Sequence, residues 1–389
     1  MLLLQSKFLI REYKKKSMKL ATINKYLRIT ILTVILPLVN IAIEPSVYCQ
    51  TIRQAMDKIV TNTIKEKNIP GAIVGVWSPS VGVWVKTFGE ADVGSGRSMH
   101  DKKKVRIGSV TQTFLISALL SLVDDKKINL DDPVNKYIPF VPNGGNITIR
   151  QLANNTSGIF NYTEDAQFFP QVIKSPLREY QPLELVNIAF KHGPYFKPGQ
   201  GWHASDTNFI LLGMIMEKVT SEKLEDLIRL RVINRIGLKN TSFAIYPFME
   251  GDYSRGYVDK KDSNIPQDIT LLDPSSMWAA GAIVSDIQDL SLWAKALYKG
   301  SFLTDKMRAA RFNWVATGEP YLQYGLGISK FGDFVGYSGG IPGYACVMYY
   351  LSAKDTTIIV ILNKFPDNGA AISIFKALAK TVIPDYVPW

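Results

Sequence analysis

The sequence predicts an α+β protein, with an antiparallel sheet assembled from both chain ends, flanked by helices, and a mostly helical lobe inserted between them. Three observations predict it. β-rich runs sit near the start (Ala72–Trp77, Val81–Phe88) and again near the end (Ala345–Leu351, Thr356–Leu362). Helical periodicity dominates the stretch from about 134 to 275. Strands, then helices, then strands is the order that a segregated α+β layout leaves in a chain.

The elements follow in order. Residues 51–67 place Ile52, Met56, Ile59 and Val60 on one face of a helix, and Pro70-Gly71 ends it. The two early strand runs are joined by Ser78-Pro79-Ser80, which reads as a hairpin turn. Ser109 opens a helix whose apolar stretch is Phe114–Val123. Asn208–Val219 reads as a buried helix, and Ser285–Tyr298 as an amphipathic one with Ser285 as N-cap. The late strands are separated by Ser-Ala-Lys-Asp, and a helix over 369–382 closes the chain. The expected division is a sheet lobe over about 50–115 and 276–389, with a helical lobe over about 116–275.

Composition narrows the classes of function. The 389 residues are 47% hydrophobic, enough for a substantial core. Of the formal net charge of +11, residues 1–49 carry +6 through eight Lys/Arg and two Asp/Glu, which leaves +5 for the remainder. No basic run interleaves with aromatics, so nucleic acid is not an expected partner. Lys14, Lys15, Lys16, Lys19, Lys25 and Arg28 precede an apolar run from Ile29 to Ile43 that Pro37 and Asn40 interrupt. That pattern is expected of a secretory signal peptide, with cleavage before Gln50 and Met18 as an alternative start. An uncleaved anchor and a lipid-modified Cys49 are the competing readings. Membrane association is expected only through these. Export then places the protein in the periplasm or outside the cell; separately, a monomer is expected. Cys346 has no disulfide partner once Cys49 is removed. His100, His192 and His203 are scattered, so a zinc site is not expected, and no other metal or organic cofactor is implied.

The chemistry concentrates at Arg106-Ile-Gly-Ser109-Val-Thr-Gln112. A Ser after a Gly, at the head of a buried helix, has its hydroxyl at the positive end of the helix dipole. The residue three positions on lies one turn along, where an enzyme wants a base. This stretch resembles the Ser-x-x-Lys motif of the penicillin-recognising serine hydrolases. Ile128–Pro139, Ile147–Leu152 with Thr156-Ser-Gly-Ile159, Pro198–Gly213, Ala280–Trp293 and Ser338–Gly343 are similar, in order, to the class C β-lactamase and D-alanyl-D-alanine carboxypeptidase branch. The resemblance covers nearly all of 50–389.

The resemblance implies a Ser109 acyl-enzyme, with Lys and Tyr moving its proton and a Lys or His on a third motif holding a substrate carboxylate. The backbone N–H groups of Ser109 and Gly340 would form the oxyanion hole. D-Ala peptides of peptidoglycan type, or small esters and amides, would be the substrates. Residue by residue, three of these side chains are replaced. The Lys position is Gln112, the Tyr position is Ala204 in Ala204-Ser205-Asp206, and the Lys/His position is Tyr337 in Tyr337-Ser338-Gly339. A Gln amide cannot take a proton at neutral pH, and Ala204 has no phenol. The implied activity, a DD-carboxypeptidase or esterase, is therefore weak or lost. The alternative is a silent pseudoenzyme that binds cell-wall peptide or another small ligand.

Several residues keep two readings. Ser109 is a nucleophile or an inherited helix cap. Asp206 is a substituted amide partner or a polar contact to Ser109, and with Ser338 and Gly339 belongs to the expected substrate-binding set. Tyr337 replaces the missing phenol or simply packs. His203 is a replacement base or a structural histidine, Tyr162 lines the cleft or packs, and Trp202 belongs to core or rim. Cys346 reads as a buried thiol.

Overall fold

The computed structural model describes residues 49–261, 263 and 265–389. The expected signal segment up to residue 48 and the alternative start lie outside them, while the expected cleavage point, between Cys49 and Gln50, falls at the head of the first helix. Residues 55–389 form one compact unit.

The first helix, α1, runs to residue 66 and gives way to a hairpin of β1 (Gly71–Ser78) and β2 (Gly82–Asp92). β3 (Arg97–Ser98) pairs with the end of β2, and β4 (Val105–Arg106) leads into a 3-10 turn over Gly108–Val110 and then α2 (Thr111–Asp124). The middle of the chain is α3 (Ile149–Ala153), α4 (Phe168–Lys174), α5 (Pro182–Phe190), α6 (Asp206–Thr220), α7 (Leu224–Ile228) and α8 (Asn234–Ile236). Short strands β5 (Ser242–Phe243), β6 (Tyr257–Val258), β7 (Gln267–Asp268) and β8 (Ile283–Ser285) follow, with α9 (Trp278–Gly281) before β8. The last third holds α10 (Ile287–Lys299), α11 (Asp305–Arg311), β9 (Val315–Ala316), β10 (Leu322–Tyr324), β11 (Ser329–Phe331), β12 (Phe334–Ile341), β13 (Tyr344–Leu351), β14 (Thr356–Leu362) and α12 (Ala370–Val382).

The main sheet runs β3-β2-β1-β14-β13-β12-β11-β10-β9. β1 lies between β2 and β14, with Ala72 opposite both Phe88 and Leu362, and every pairing is antiparallel. Both chain ends thus meet in one sheet, as expected. β13 and β14 are buried at every position, which requires cover on both faces. Tyr349 packs on Phe375 of α12, while its neighbour Tyr350 packs on Tyr298 of α10. Adjacent strand residues point to opposite faces, so α12 and α10 cover opposite sides of the sheet.

α2 is buried along nearly its whole length, from Thr111 to Leu122, and is the axis of the core. Trp293 of α10 stacks on its Phe114, with ring centroids 4.2 Å apart. The cap of α10 corrects the sequence reading. Ser285 stays in β8 opposite Val105, and the carboxylate of extended Asp286 accepts from the Asp289 N–H at 2.8 Å.

Candidate active site

Two glycine contacts build the site before any side chain enters. β4 is held by β8 through Arg106↔Val284, and Ile107 N–H donates to Ile283 C=O at 3.0 Å. The chain must then turn sharply into α2, and Gly108 supplies a φ of +52°. A Cβ there would lie 2.5 Å from the carbonyl carbon of Gly340, and one on Gly339 would lie 2.6 Å from Cβ of Ser109. The head of α2 and the end of β12 therefore touch backbone to backbone. This brings Ser109, Gly339 and Gly340 together, with Ser338 exposed beside them.

Ser109 is half-buried, and its hydroxyl has no hydrogen-bond partner among the described residues. One turn on, Gln112 is buried and saturated. Its Oε1 accepts from the Tyr337 hydroxyl at 2.5 Å, and its Nε2 donates to Asp206 Oδ1 at 2.8 Å. Tyr337 in turn shares a hydrogen bond of 2.6 Å with the buried Tyr324 hydroxyl. The second carboxylate oxygen of Asp206 accepts from Thr163 Oγ1 at 3.0 Å. A continuous chain of hydrogen bonds thus runs Tyr324–Tyr337–Gln112–Asp206–Thr163.

Asp206 begins α6, and its own N–H donates to Asn161 Oδ1 at 3.0 Å. Asn161 Oδ1 also accepts from Thr163 Oγ1 at 2.9 Å, so the 161–163 segment holds the Asp206 N–H and Oδ2, while Oδ1 is held by Gln112 of α2. Asp206 therefore partners the Gln112 amide, and the alternative contact with Ser109 is not made. Burial pushes its carboxyl up to about 6, against the opposing pull of the Thr163 and Gln112 hydrogen bonds. Burial raises the Tyr337 phenol well above its ordinary value, with neighbouring Tyr324 adding to the effect. Tyr337 stays a neutral donor committed to Gln112 and is no base for Ser109.

The Asp206 shift gives a pH prediction. A carboxyl raised in the folded state binds its proton more tightly there than in the unfolded chain. Its contribution to stability is most favourable near pH 4 and falls as pH rises through about 6. Thermal melts of the protein and of Asp206→Asn between pH 4 and 8 should differ by a gap that changes across this window and is flat above it. Parallel profiles would remove Asp206 as the source.

The remaining sequence candidates separate. Ala204 is exposed, just ahead of α6, and brings only a methyl group. His203 Nε2 is paired with Glu164 Oε1 at 2.9 Å, and its ring lies on Tyr195 at 3.9 Å. That engagement is structural. Tyr162 is fully buried, its hydroxyl donating to Ser276 C=O at 2.9 Å, so it packs and does not line the cleft. Trp202 is half-buried against Tyr324, with centroids 5.5 Å apart. Cys346 is buried, and burial lifts its thiol to about 12, far from a reactive thiolate. Thr163, Asn161 and Tyr324 were not legible as site residues. They are ordinary polar or aromatic side chains whose importance lies in long-range pairing.

The β-lactamase family model matches residues 50–382, spanning every residue just described. The chain belongs to the β-lactamase family. Penicillin-binding protein 4* of Bacillus subtilis is 27% identical over 312 residues, covering 75% of this chain and 67% of that one. Among solved structures, a D-stereospecific amidohydrolase from Streptomyces sp. is 29% identical with a TM-score of 0.76, covering 85% of this chain and 98% of that one. The octameric penicillin-binding protein homologue from Pyrococcus abyssi, at 23% identity and a TM-score of 0.71, covers 86% and 78% and shares the fold. The mixed architecture with its large antiparallel sheet is that of the family. Its relatives include a penicillin-binding protein and a D-stereospecific amidohydrolase.

Proposed function

We propose that this is an exported protein that receives D-amino-acyl peptides of cell-wall type, or small esters and amides, at Ser109 and turns them over weakly or not at all. The observation that carries the reading is the Gln112 amide, bonded on both sides by Tyr337 and Asp206 while the Ser109 hydroxyl is left without a base. Nucleophilic attack by a serine needs its proton removed, and general acid–base help is worth about 10²–10⁴-fold. Neither an amide nor a neutral buried phenol supplies it. The position before α6 where the family resemblance implies a phenol holds Ala204.

What supports recognition is the surviving frame. Gly108, Ser109, Gly339 and Gly340 remain in backbone contact, and donors supplied by backbone do not depend on the lost side chains. Differential affinity without turnover is the outcome of such a cleft, and the pseudoenzyme reading is its limiting case.

Intact-mass measurement after exposure to a fluorescent penicillin and to an activated ester tests the reading. The expected result is slow, substoichiometric addition that maps to Ser109 and disappears in Ser109→Ala, or ligand-induced thermal stabilisation with no adduct. Multiple turnovers per minute, whether or not they depend on Ser109, would overturn it, as would neither adduct nor stabilisation with any muropeptide.

A further inference from the structure

A second cavity lies behind the segment that positions Asp206. It encloses about 230 Å3 between the 157–160 segment, α5 and the 194–198 loop. Ile147, Ile159, Phe160, Ala189, Phe190 and Phe196 give it apolar walls, and none of the residues placed at the Ser109 cleft lines it. An apolar cavity of about 150 Å3 stays dry and takes up benzene, so this volume has room for a ring with a short substituent.

The mouth carries a sign. His192 and Lys197 are the charged or chargeable lining residues, both exposed, and no carboxylate is among the lining residues. Lys191, next along the chain, is exposed as well. Asp165 faces this edge but is held by His192 Nε2 at 2.9 Å. Lys197 makes no ion pair among the described residues. The His192 ring is fixed by stacking on Phe160, with centroids 4.0 Å apart. An apolar chamber with a few placed polar groups at its opening is the usual form of a small-molecule site.

We infer that this cavity binds a compact amphiphilic carboxylate, an aromatic or branched aliphatic body inside and the carboxylate at Lys197. The inner wall gives such binding a route to α6. The Phe160 carbonyl accepts from Thr207 Oγ1 at 2.7 Å, and Ser157 Oγ donates to Asn208 Oδ1 at 2.7 Å. The inference does not depend on any chemistry at Ser109.

The test uses 3-phenylpropanoate as probe, with ligand-observed NMR and thermal shift on the full chain. Saturable binding is expected, with stabilisation growing as the logarithm of ligand concentration. Acetate should give no shift, and toluene should bind about three- to tenfold more weakly than the acid. Ala189→Phe places a ring in the chamber and should abolish binding. Because overpacking a buried position also threatens folding, Lys197→Met, at an exposed position, is the second arm. It should weaken the acid about three- to tenfold and leave toluene unchanged. Ser109→Ala should bind the probe as the parent does. No saturable signal at millimolar probe overturns the inference, as does binding lost in Ser109→Ala or equal for the acid and toluene.

Discussion

Gln112→Lys combined with Ala204→Tyr is expected to raise Ser109-dependent hydrolysis of an activated ester by about 10²–10⁴-fold, the span usual for restored proton transfer. The frame that would use these groups is in place, since the head of α2 meets the end of β12 through Gly108 and Gly340. Gln112→Lys alone should do far less. Its ammonium would take over the amide's place beside Asp206 Oδ1, now 2.8 Å from Nε2. A carboxylate at that distance favours the charged form of Lys, and a charged ammonium cannot accept the Ser109 proton. Adding Asp206→Asn removes that hold and should bring a further gain, with the pH–rate profile moving to lower pH. Rates of Ser109 acylation by stopped-flow, across the single, double and triple variants, check the order. Equal activity of the double and triple variants would show that Asp206 does not control the charge at position 112.

Trp293→Ala carries the largest expected loss of stability, about 3–5 kcal/mol, as for other fully buried Trp truncations. The indole has no exposed surface and stacks on Phe114. Its Nε1 donates to Thr113 Oγ1 at 2.8 Å, and Thr113 adjoins Gln112. The urea midpoint should fall while the slope of the transition is kept. A loss below about 1.5 kcal/mol would mean that α10 collapses onto α2 and refills the space.

The parts of this fold that could be read from the sequence are those with a period. β13 and β14 are apolar runs rich in β-branched and aromatic residues, and Thr356–Leu362 has the expected limits. α2 and α6 stand out as long apolar runs. By contrast, α11 (DKMRAAR) buries only Met307 and Arg311, so it has no apolar stripe to detect. β9, β10 and β11 have two or three residues each, too few for alternation to register. At the site, positions were legible but partners were not. The bond from Tyr337 to Gln112 spans 225 residues of sequence, and nothing local distinguishes a packing Tyr from one that satisfies an amide. Tyr162 shows the same limit in reverse. An aromatic after Thr156-Ser157-Gly158 looks like a cleft wall, and only its burial against Ser276 reveals a core residue.

The contact between Gly108 and Gly340 bears on how such a cleft ages. Its two halves are joined through main-chain atoms, which point substitutions at 112, 204 and 337 leave untouched. Chemistry can therefore be erased one side chain at a time without loosening the architecture that presented it. A lineage can lose catalysis, keep the shape of the vessel, and still be read by whatever molecule the vessel was shaped to receive.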